Sequence, residues 1–256
     1  MIFVKIMTPK LKKRRRILLG LIPVYVIIIL LVGSLIFLSQ SYKPMTEAYT
    51  ALNSNEDVTI TNGKDWITFI PTENASTTGF IFYPGGNVEP ESYAIIARNI
   101  ALNNYTVIII KMPFDLAIFS PKKGEKVMAL YPEITSWIIG GHSLGGAMSS
   151  RFVYDEPELF SGLILLASYP ADSNNLSNYN LPVLSIYGSL DGIISTPIPD
   201  TLSLLPVNTT LFEIVGGNHA YFGSYGEQKG DNTATITRAD QQNQTVIAIL
   251  DFLLVN

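Results

Sequence analysis

The chain has 256 residues, a formal net charge of −4 and no cysteine. This length predicts one domain of ordinary size, and the lack of cysteine excludes disulfides, thiolate metal sites and a cysteine nucleophile. Seven of the 17 basic residues and none of the 21 acidic residues precede residue 39, so the remainder carries a net charge of −11. A surface this acidic argues against binding to nucleic acid, whose phosphates attract basic proteins.

Residues 17–38 form an apolar run of 22 residues without a charged side chain. A helix of this length spans about 33 Å, which matches the hydrocarbon core of a bilayer. The basic segment 1–16 indicates that the N-terminus stays in the cytoplasm and that the chain after residue 38 is extracytoplasmic. We therefore predict a single-pass signal anchor in the cell membrane. A cleaved signal peptide is the alternative, but its apolar core usually has about 7–15 residues and an A-x-A-like site, which is missing here.

Residues 39–57 are polar and irregular, and they predict a tether that precedes a domain at 58–256. In that domain, runs of Val, Ile, Leu and Phe alternate with segments of helical periodicity. The predicted strands are 58–61, 66–71, 79–83, 105–111, 136–140, 162–167, 182–187 and 211–215. The predicted helices are 92–102, 113–130, 144–153 and 233–254, of which 113–130 has the weakest pattern.

The alternation of strands and helices predicts an α/β fold with a mostly parallel sheet. The strands are apolar along most of their length, which indicates that helices cover both faces of the sheet. Only residues 170–181 separate the strands 162–167 and 182–187, and so short a segment leaves no room for a large lid domain.

The motif Gly141-His142-Ser143-Leu144-Gly145 matches G-x-S-x-G, the pattern of a nucleophile elbow. The nucleophile must sit on a sharp turn between a strand and a helix, and glycines two positions away on either side allow neighbouring segments to approach. Here the motif follows a predicted strand and precedes a predicted helix, as this chemistry requires. The dipole of that helix would also face a developing oxyanion. We predict Ser143 as the nucleophile.

A serine nucleophile needs a base, and the chain has only two histidines. His142 lies next to Ser143 in the motif, so its side chain should point the other way and pack beneath the turn. His219 comes directly after the last predicted strand, in Gly216-Gly217-Asn218-His219. Because α/β sheets place their sites at the carboxyl ends of strands, we predict His219 as the base.

The orienting acid should lie between the nucleophile and the base, because this fold uses the chain order Ser, then Asp or Glu, then His. Asp191 follows the predicted strand 182–187 and can accept the Nδ1–H of the histidine. Asp200 and Glu213 are weaker candidates, since the first lies beyond the turn and the second lies within a strand. We predict Asp191 as the acid.

An oxyanion hole should combine two backbone N–H groups. One belongs to Leu144, the residue after the nucleophile, and the other should come from the loop after the third strand, Pro84-Gly85-Gly86-Asn87. Glycines there let the backbone approach a substrate oxygen. Gly86 and Asn87 are both candidates, and the sequence does not choose between them.

The chain from residue 58 onward resembles the α/β-hydrolase superfamily, and more narrowly its small members known as α/β-hydrolase fold-5. The resemblance implies hydrolysis of an ester, thioester, amide or lactone, without a cofactor or metal and without naming a substrate. Dienelactone hydrolases share the fold but use cysteine, which this chain lacks. The segments that carry the resemblance are Phe82–Gly86, Lys111–Pro113, Gly140–Gly146, Gly216–Gly226 and Gln241–Gln242.

The sequence thus predicts a serine hydrolase, or carboxylic-ester hydrolase, that forms an acyl-enzyme on Ser143. Because a lid domain is missing, we expect a small or exposed acyl substrate as the partner of the site. Two alternatives stay open: an acyltransferase that uses the same triad, and a non-catalytic binding module with a hydrolase fold. The sequence leaves the substrate and the oligomeric state open.

Overall fold

The computed structural model describes residues 20–30, 33 and 40–256. Contacts divide the chain into a unit at 1–40 and a unit at 41–256. In the first unit, residues 20–30 and 33 are helical. No helix among the described residues is both long enough and apolar enough to cross a membrane. The predicted basic segment 1–16 lies outside the described residues, as do ten of the 22 residues of the predicted anchor 17–38.

The second unit contains one sheet of eight strands in the order β1-β2-β4-β3-β5-β6-β7-β8. The β1–β2 and β2–β4 pairs are antiparallel, and the five other pairs are parallel. The predicted mostly parallel sheet is therefore confirmed. The strands are β1 (Val58–Asn62), β2 (Trp66–Pro71), β3 (Thr78–Tyr83), β4 (Thr106–Ile110), β5 (Ser136–His142), β6 (Gly162–Leu166), β7 (Val183–Gly188) and β8 (Thr210–Ile214).

The helices of the second unit are α1 (Thr46–Thr50), α2 (Ala94–Ala101), α3 (Glu125–Met128), α4 (Leu144–Asp155) and α5 (Arg238–Val255). Short 3-10 helices lie at Pro90–Tyr93, Pro113–Asp115, Ala117–Phe119, Pro157–Leu159, Asp172–Asn174, Ile198–Leu204 and Ala220–Phe222. Helix α5 begins at a capping box, in which Thr237 and Asp240 each accept a backbone N–H of the other. That box explains why the helix starts five residues later than the pattern predicted.

Helices pack on both faces of the sheet, as the apolar strands predicted. Strand β6 shows the alternation that produces two core layers: Ile164 and Leu166 join one apolar cluster, while Leu163 and Leu165 join the other. Helices α2 and α5 supply the first cluster, and α4 supplies the second. The central strands are therefore buried on both faces, as parallel strands between two helix layers are.

Two segments differ from their predicted form. Residues 113–130 contain only single turns of helix. Phe114 and Asp115 have positive φ values of 56° and 53°, and Leu116 and Ser120 are non-helical with φ −130° and −155°, so the backbone does not continue as one helix. Most of the predicted tether 39–57 belongs to the second unit: α1 lies within it, and the Ala48 side chain is fully buried. The segment from residue 41 is therefore part of the folded surface.

Candidate active site

Ser143 occupies the sharp turn between β5 and α4. Its backbone has φ 52° and ψ −123°, a conformation that non-glycine residues adopt at a cost of about 1–3 kcal/mol. Its N–H donates to the carbonyl of Leu166 at 2.9 Å, and its carbonyl accepts from the Ser168 hydroxyl at 2.7 Å. The neighbouring strand thus holds the strained residue in place on both sides.

Two glycines make room for this turn. A Cβ at Gly145 would lie 2.2 Å from the carbonyl oxygen of Tyr83 and 2.3 Å from that of Pro84. A Cβ at Gly141 would lie 2.6 Å from the same Tyr83 oxygen. Since both obstacles are backbone atoms, no side-chain movement could relieve the clash, and the motif requires glycine at these positions.

Asp191 and His219 meet at the carboxyl ends of β7 and β8. Nδ1 of His219 lies 2.8 Å from Oδ2 of Asp191, and both side chains are buried, with exposed fractions of 1% and 8%. The other carboxylate oxygen accepts the N–H groups of Ile193 at 2.8 Å and Ile194 at 3.0 Å. Because a carboxylate oxygen accepts, Nδ1 carries the proton, and Nε2 of a neutral ring is left as an acceptor.

The ring of His219 lies beside the elbow. It packs against the ring of His142, the chain neighbour of Ser143, with 4.5 Å between the ring centroids. Its Nε2 is buried and makes no hydrogen bond with any described residue, and none joins it to Ser143 Oγ. In unliganded hydrolases this contact is often long and tightens only when a substrate binds.

The two weaker candidates for the acid lie elsewhere. Asp200 belongs to the 3-10 helix Ile198–Leu204, and Glu213 lies in β8. Both residues are exposed, and neither is hydrogen-bonded to His219. Of the three acids considered from the sequence, only Asp191 contacts the histidine.

Two residues to which the sequence analysis gave no role, Asp231 and Gln241, fix the loop of the histidine. Asp231 accepts the N–H of Ala220 at 2.8 Å with one oxygen and the N–H of Gly192 at 2.9 Å with the other, so it joins the histidine loop to the acid loop. The Gln241 amide pairs with both backbone groups of Asn218, at 2.9 and 2.7 Å. Of these two, Gln241 carried a sequence signal through the family resemblance, and Asp231 carried none.

The glycine loop after β3 lies next to the elbow. A Cβ at Gly86 would lie 3.0 Å from the Leu144 side chain. The N–H of Asn87 donates to the carbonyl of Asp115 at 2.9 Å, and the N–H of Gly85 donates to the Tyr93 hydroxyl at 3.0 Å. The N–H of Gly86 has no acceptor among the described residues. Of the two sequence candidates, Gly86 is therefore the one with an available N–H.

His142 packs beneath the turn, as expected from its position. Its Nδ1 lies 2.8 Å from the Tyr93 hydroxyl, which also accepts the N–H of Gly85. Burial lowers the pKa of His142 well below its ordinary value, and the adjacent His219 ring lowers it further. Burial also raises the pKa of Tyr93, so its hydroxyl keeps its proton and donates it to Nδ1. A neutral hydrogen-bonded chain thus supports the glycine loop.

A cavity of about 360 Å³ opens beside Ser143. Its walls carry aliphatic side chains and four hydroxyl groups, one of them that of Ser143, and none of its lining residues is charged. The described residues contain no group of three or more His, Asp or Glu side chains placed to hold a metal ion. The lining side chains include Leu144, Ala147, Ser168, Tyr169, Ile193 and Ile194.

This fold and this strand-end arrangement are those of the α/β-hydrolases. The model of the "Alpha/beta hydrolase family" matches residues 79–243, which is more than half of the chain. The protein therefore belongs to the α/β-hydrolase family, and we assign it as a hydrolase. A comparison with curated proteins gave no match.

Solved structures with this fold come from distant relatives. A CIB-like hydrolase from Thermoplasma acidophilum is 14% identical, with a TM-score of 0.57 over 77% of this chain and 98% of its own. Est1E from Butyrivibrio proteoclasticus is 13% identical, with a TM-score of 0.54 over 78% and 98%. Dienelactone hydrolase from Anabaena variabilis is 13% identical, with a TM-score of 0.55 over 77% and 99%. At these identities the likeness concerns the fold alone.

Proposed function

We propose that the protein is a serine hydrolase that cleaves an ester-, thioester- or amide-type bond through an acyl-enzyme on Ser143. The observation that carries this proposal is the 2.8 Å contact between Asp191 and His219, whose ring lies beside the strained elbow. A binding module would gain nothing from a buried acid–histidine pair next to a serine held at φ 52°.

The proposed reaction has two steps. In the first, Nε2 of His219 takes the proton of the Ser143 hydroxyl while Oγ attacks the carbonyl carbon of the substrate. His219 then returns that proton to the leaving group, and the acyl group stays on Ser143. In the second step His219 takes a proton from water, the resulting hydroxide attacks the ester, and Ser143 leaves with the proton. Asp191 holds the ring and stabilises its positive charge throughout.

The oxyanion of each tetrahedral intermediate would accept two hydrogen bonds from the backbone. We propose the N–H of Leu144, at the start of α4, and the N–H of Gly86 as the donors. Asn87 does not serve, because its N–H is already bound by the carbonyl of Asp115 at 2.9 Å. Backbone donors of this kind stabilise the transition state well, because they are already oriented and need no reorganisation when negative charge develops on the substrate oxygen.

The cavity beside Ser143 favours a neutral acyl group of limited length. Its aliphatic walls would exclude a charged acyl group, which would lose hydration without gaining an ionic partner. Its volume of about 360 Å³ lies near the lower end for small-molecule sites. We expect kcat/KM in a series of p-nitrophenyl esters to peak at short or medium acyl chains, and to fall at least about tenfold for a succinyl monoester against a neutral ester of similar size. A maximum at long chains would contradict this expectation.

The test of the mechanism is reaction of the full-length protein with a fluorophosphonate probe. The probe phosphonylates only a serine that a neighbouring base activates. We expect one adduct, which peptide fragmentation places on Ser143 and not on the other serines of the same tryptic peptide, Ser136, Ser149 and Ser150. A competing substrate should protect Ser143 from labelling. A folded protein that does not react, or that reacts at another serine, would refute the proposed nucleophile.

A further inference from the structure

The segment 41–45, at the beginning of the second unit, runs beside the glycine loop that carries Gly86. Tyr42 forms a parallel bridge with Val88. Its N–H donates to the carbonyl of Asn87 at 2.7 Å, and its carbonyl accepts the N–H of Glu89 at 3.1 Å. Two side-chain contacts flank this bridge: Ser41 bonds to Asp115, and Lys43 pairs with Glu89.

These contacts restrain the loop that carries the proposed oxyanion donor. Asn87 is held through both backbone groups, since its carbonyl accepts from Tyr42 and its N–H donates to Asp115. On the other side of Gly86, the N–H of Gly85 is bound to Tyr93. Asn87 also has φ +55°, in the left-handed region that asparagine adopts more readily than most residues, so these hydrogen bonds hold a turn that this residue already favours. The N–H of Gly86 therefore has no acceptor among the described residues, while the N–H groups of Gly85 and Asn87 on either side are hydrogen-bonded.

Tyr42 also links this loop to the segment that follows His219. Its ring packs on the ring of Tyr225 with 5.4 Å between centroids, and its hydroxyl accepts the N–H of Lys229 at 3.3 Å. Met45 continues the contact, because its N–H donates to the carbonyl of Ser224 at 2.8 Å. The segment therefore touches the two loops that flank the reaction centre.

We propose that segment 41–45 is a positioning element of the active site, in which the backbone of Tyr42 holds the Gly86 N–H in the geometry that receives the oxyanion. The inference rests on the proposed function and extends it to residues outside the family's match at 79–243. The inference also predicts the effect of proteolytic cleavage. A chain cleaved before Ser41 keeps the segment and its kcat, whereas a chain cleaved after Lys43 loses the bridge of Tyr42 and has a lower kcat.

The test compares three variants of the full-length protein. Tyr42→Pro removes the ring and the N–H, whereas Tyr42→Ala removes only the ring, so the difference between them reports the N–H. Thr46→Pro is the matched proline control: Thr46 is the first residue of α1, its N–H has no acceptor among the described residues, and Met45 before it is already extended at ψ 164°.

We expect Tyr42→Pro to lower kcat about 10- to 100-fold relative to Tyr42→Ala, with KM within about threefold, because a shifted oxyanion donor weakens transition-state binding more than substrate binding. Thr46→Pro should keep the parental kcat, and all three variants should keep the parental Tm within a few degrees. Equal kcat values for the three variants would overturn the proposal.

Two further outcomes are separable. If Tyr42→Pro does not fold, Ser41→Ala takes its place, because it removes only the hydroxyl bond to Asp115. A kcat for Ser41→Ala reduced several-fold at unchanged KM would then support the proposal, and a parental kcat would refute it. If the parent itself neither hydrolyses esters nor reacts with the phosphonate, the proposed function has failed, whereas an active parent with unaffected variants rejects this inference alone.

Discussion

Ser143→Ala is expected to lower kcat for ester hydrolysis by about 10⁴- to 10⁶-fold. The hydroxyl is the atom that would form the acyl-enzyme, and no other nucleophile among the described residues occupies the turn. Alanine tolerates φ 52° no better than serine does, so the strain of the turn remains and the Tm should stay close to that of the parent. Initial rates with a chromogenic short-chain ester and a thermal melt test both parts.

The matched control for this variant is Ser150→Ala. Ser150 lies on α4, the helix that follows Ser143, and its buried hydroxyl bonds only to the carbonyl of Gly146, at 3.0 Å. Its loss should leave kcat within about twofold, because helix interiors tolerate alanine well. If Ser143→Ala, purified in the same way, kept more than about a tenth of the parental rate, the acyl-enzyme mechanism would be wrong.

A double variant tests whether Ser143 and His219 act as one unit. Once the nucleophile is absent, the base has no proton to take, so Ser143→Ala combined with His219→Ala should be no slower than Ser143→Ala alone. Additive losses would mean that the histidine acts on substrate in some other way. The contact between His219 Nδ1 and Asp191 at 2.8 Å leaves Nε2 as the proton acceptor, which is why we expect Ser143 and His219 to act in the same proton transfer.

The residues of the proposed triad could be predicted from the sequence because each follows a strand that is apolar along most of its length. Such strands are recognisable without long-range information, and their carboxyl ends meet at one edge of a parallel sheet. The two glycines of the elbow could also be predicted, because the motif requires them. The structure gives the reason: the carbonyl of Tyr83 approaches so closely that a Cβ would not fit.

The choice between Gly86 and Asn87 was not accessible, because it depends on a partner that lies distant in the sequence. Only the folded loop shows that the carbonyl of Asp115 occupies the N–H of Asn87. Asp115 itself belongs to the segment 113–130, where helical periodicity suggested one helix and the backbone leaves helical geometry at Phe114, Asp115 and Ser120. Tertiary contacts outweighed a weak local preference there.

The segment 41–45 was hidden for a different reason. Its contacts with the glycine loop are mostly backbone hydrogen bonds, which leave no periodic pattern of apolar side chains. A polar segment next to an apolar run is typical of a tether. Composition alone cannot distinguish a flexible tether from an extended segment that pairs with a neighbouring loop. The hydrogen bond from the N–H of Tyr42 to the carbonyl of Asn87 becomes visible only in the folded chain.

Asp191→Asn is expected to lower kcat about 10⁴-fold while KM changes little. The carboxylate accepts Nδ1–H of His219 at 2.8 Å and the two N–H groups of Ile193 and Ile194. An asparagine can keep its Oδ1 on those two N–H groups, which turns its NH₂ toward the histidine and forces the ring into the tautomer with the proton on Nε2. That nitrogen then cannot take the proton of the serine hydroxyl.

Asp200→Asn is the control, because Asp200 is exposed and makes no contact with the histidine. It changes the net charge equally and should leave kcat within about twofold. The tautomer argument also predicts partial recovery of Asp191→Asn at high pH, where hydroxide can deprotonate the serine directly. If Asp191→Asn lowers kcat less than about tenfold, or if Asp200→Asn lowers it equally, Asp191 does not set the tautomer of His219. The buried contact between the two side chains would then only hold their loops together.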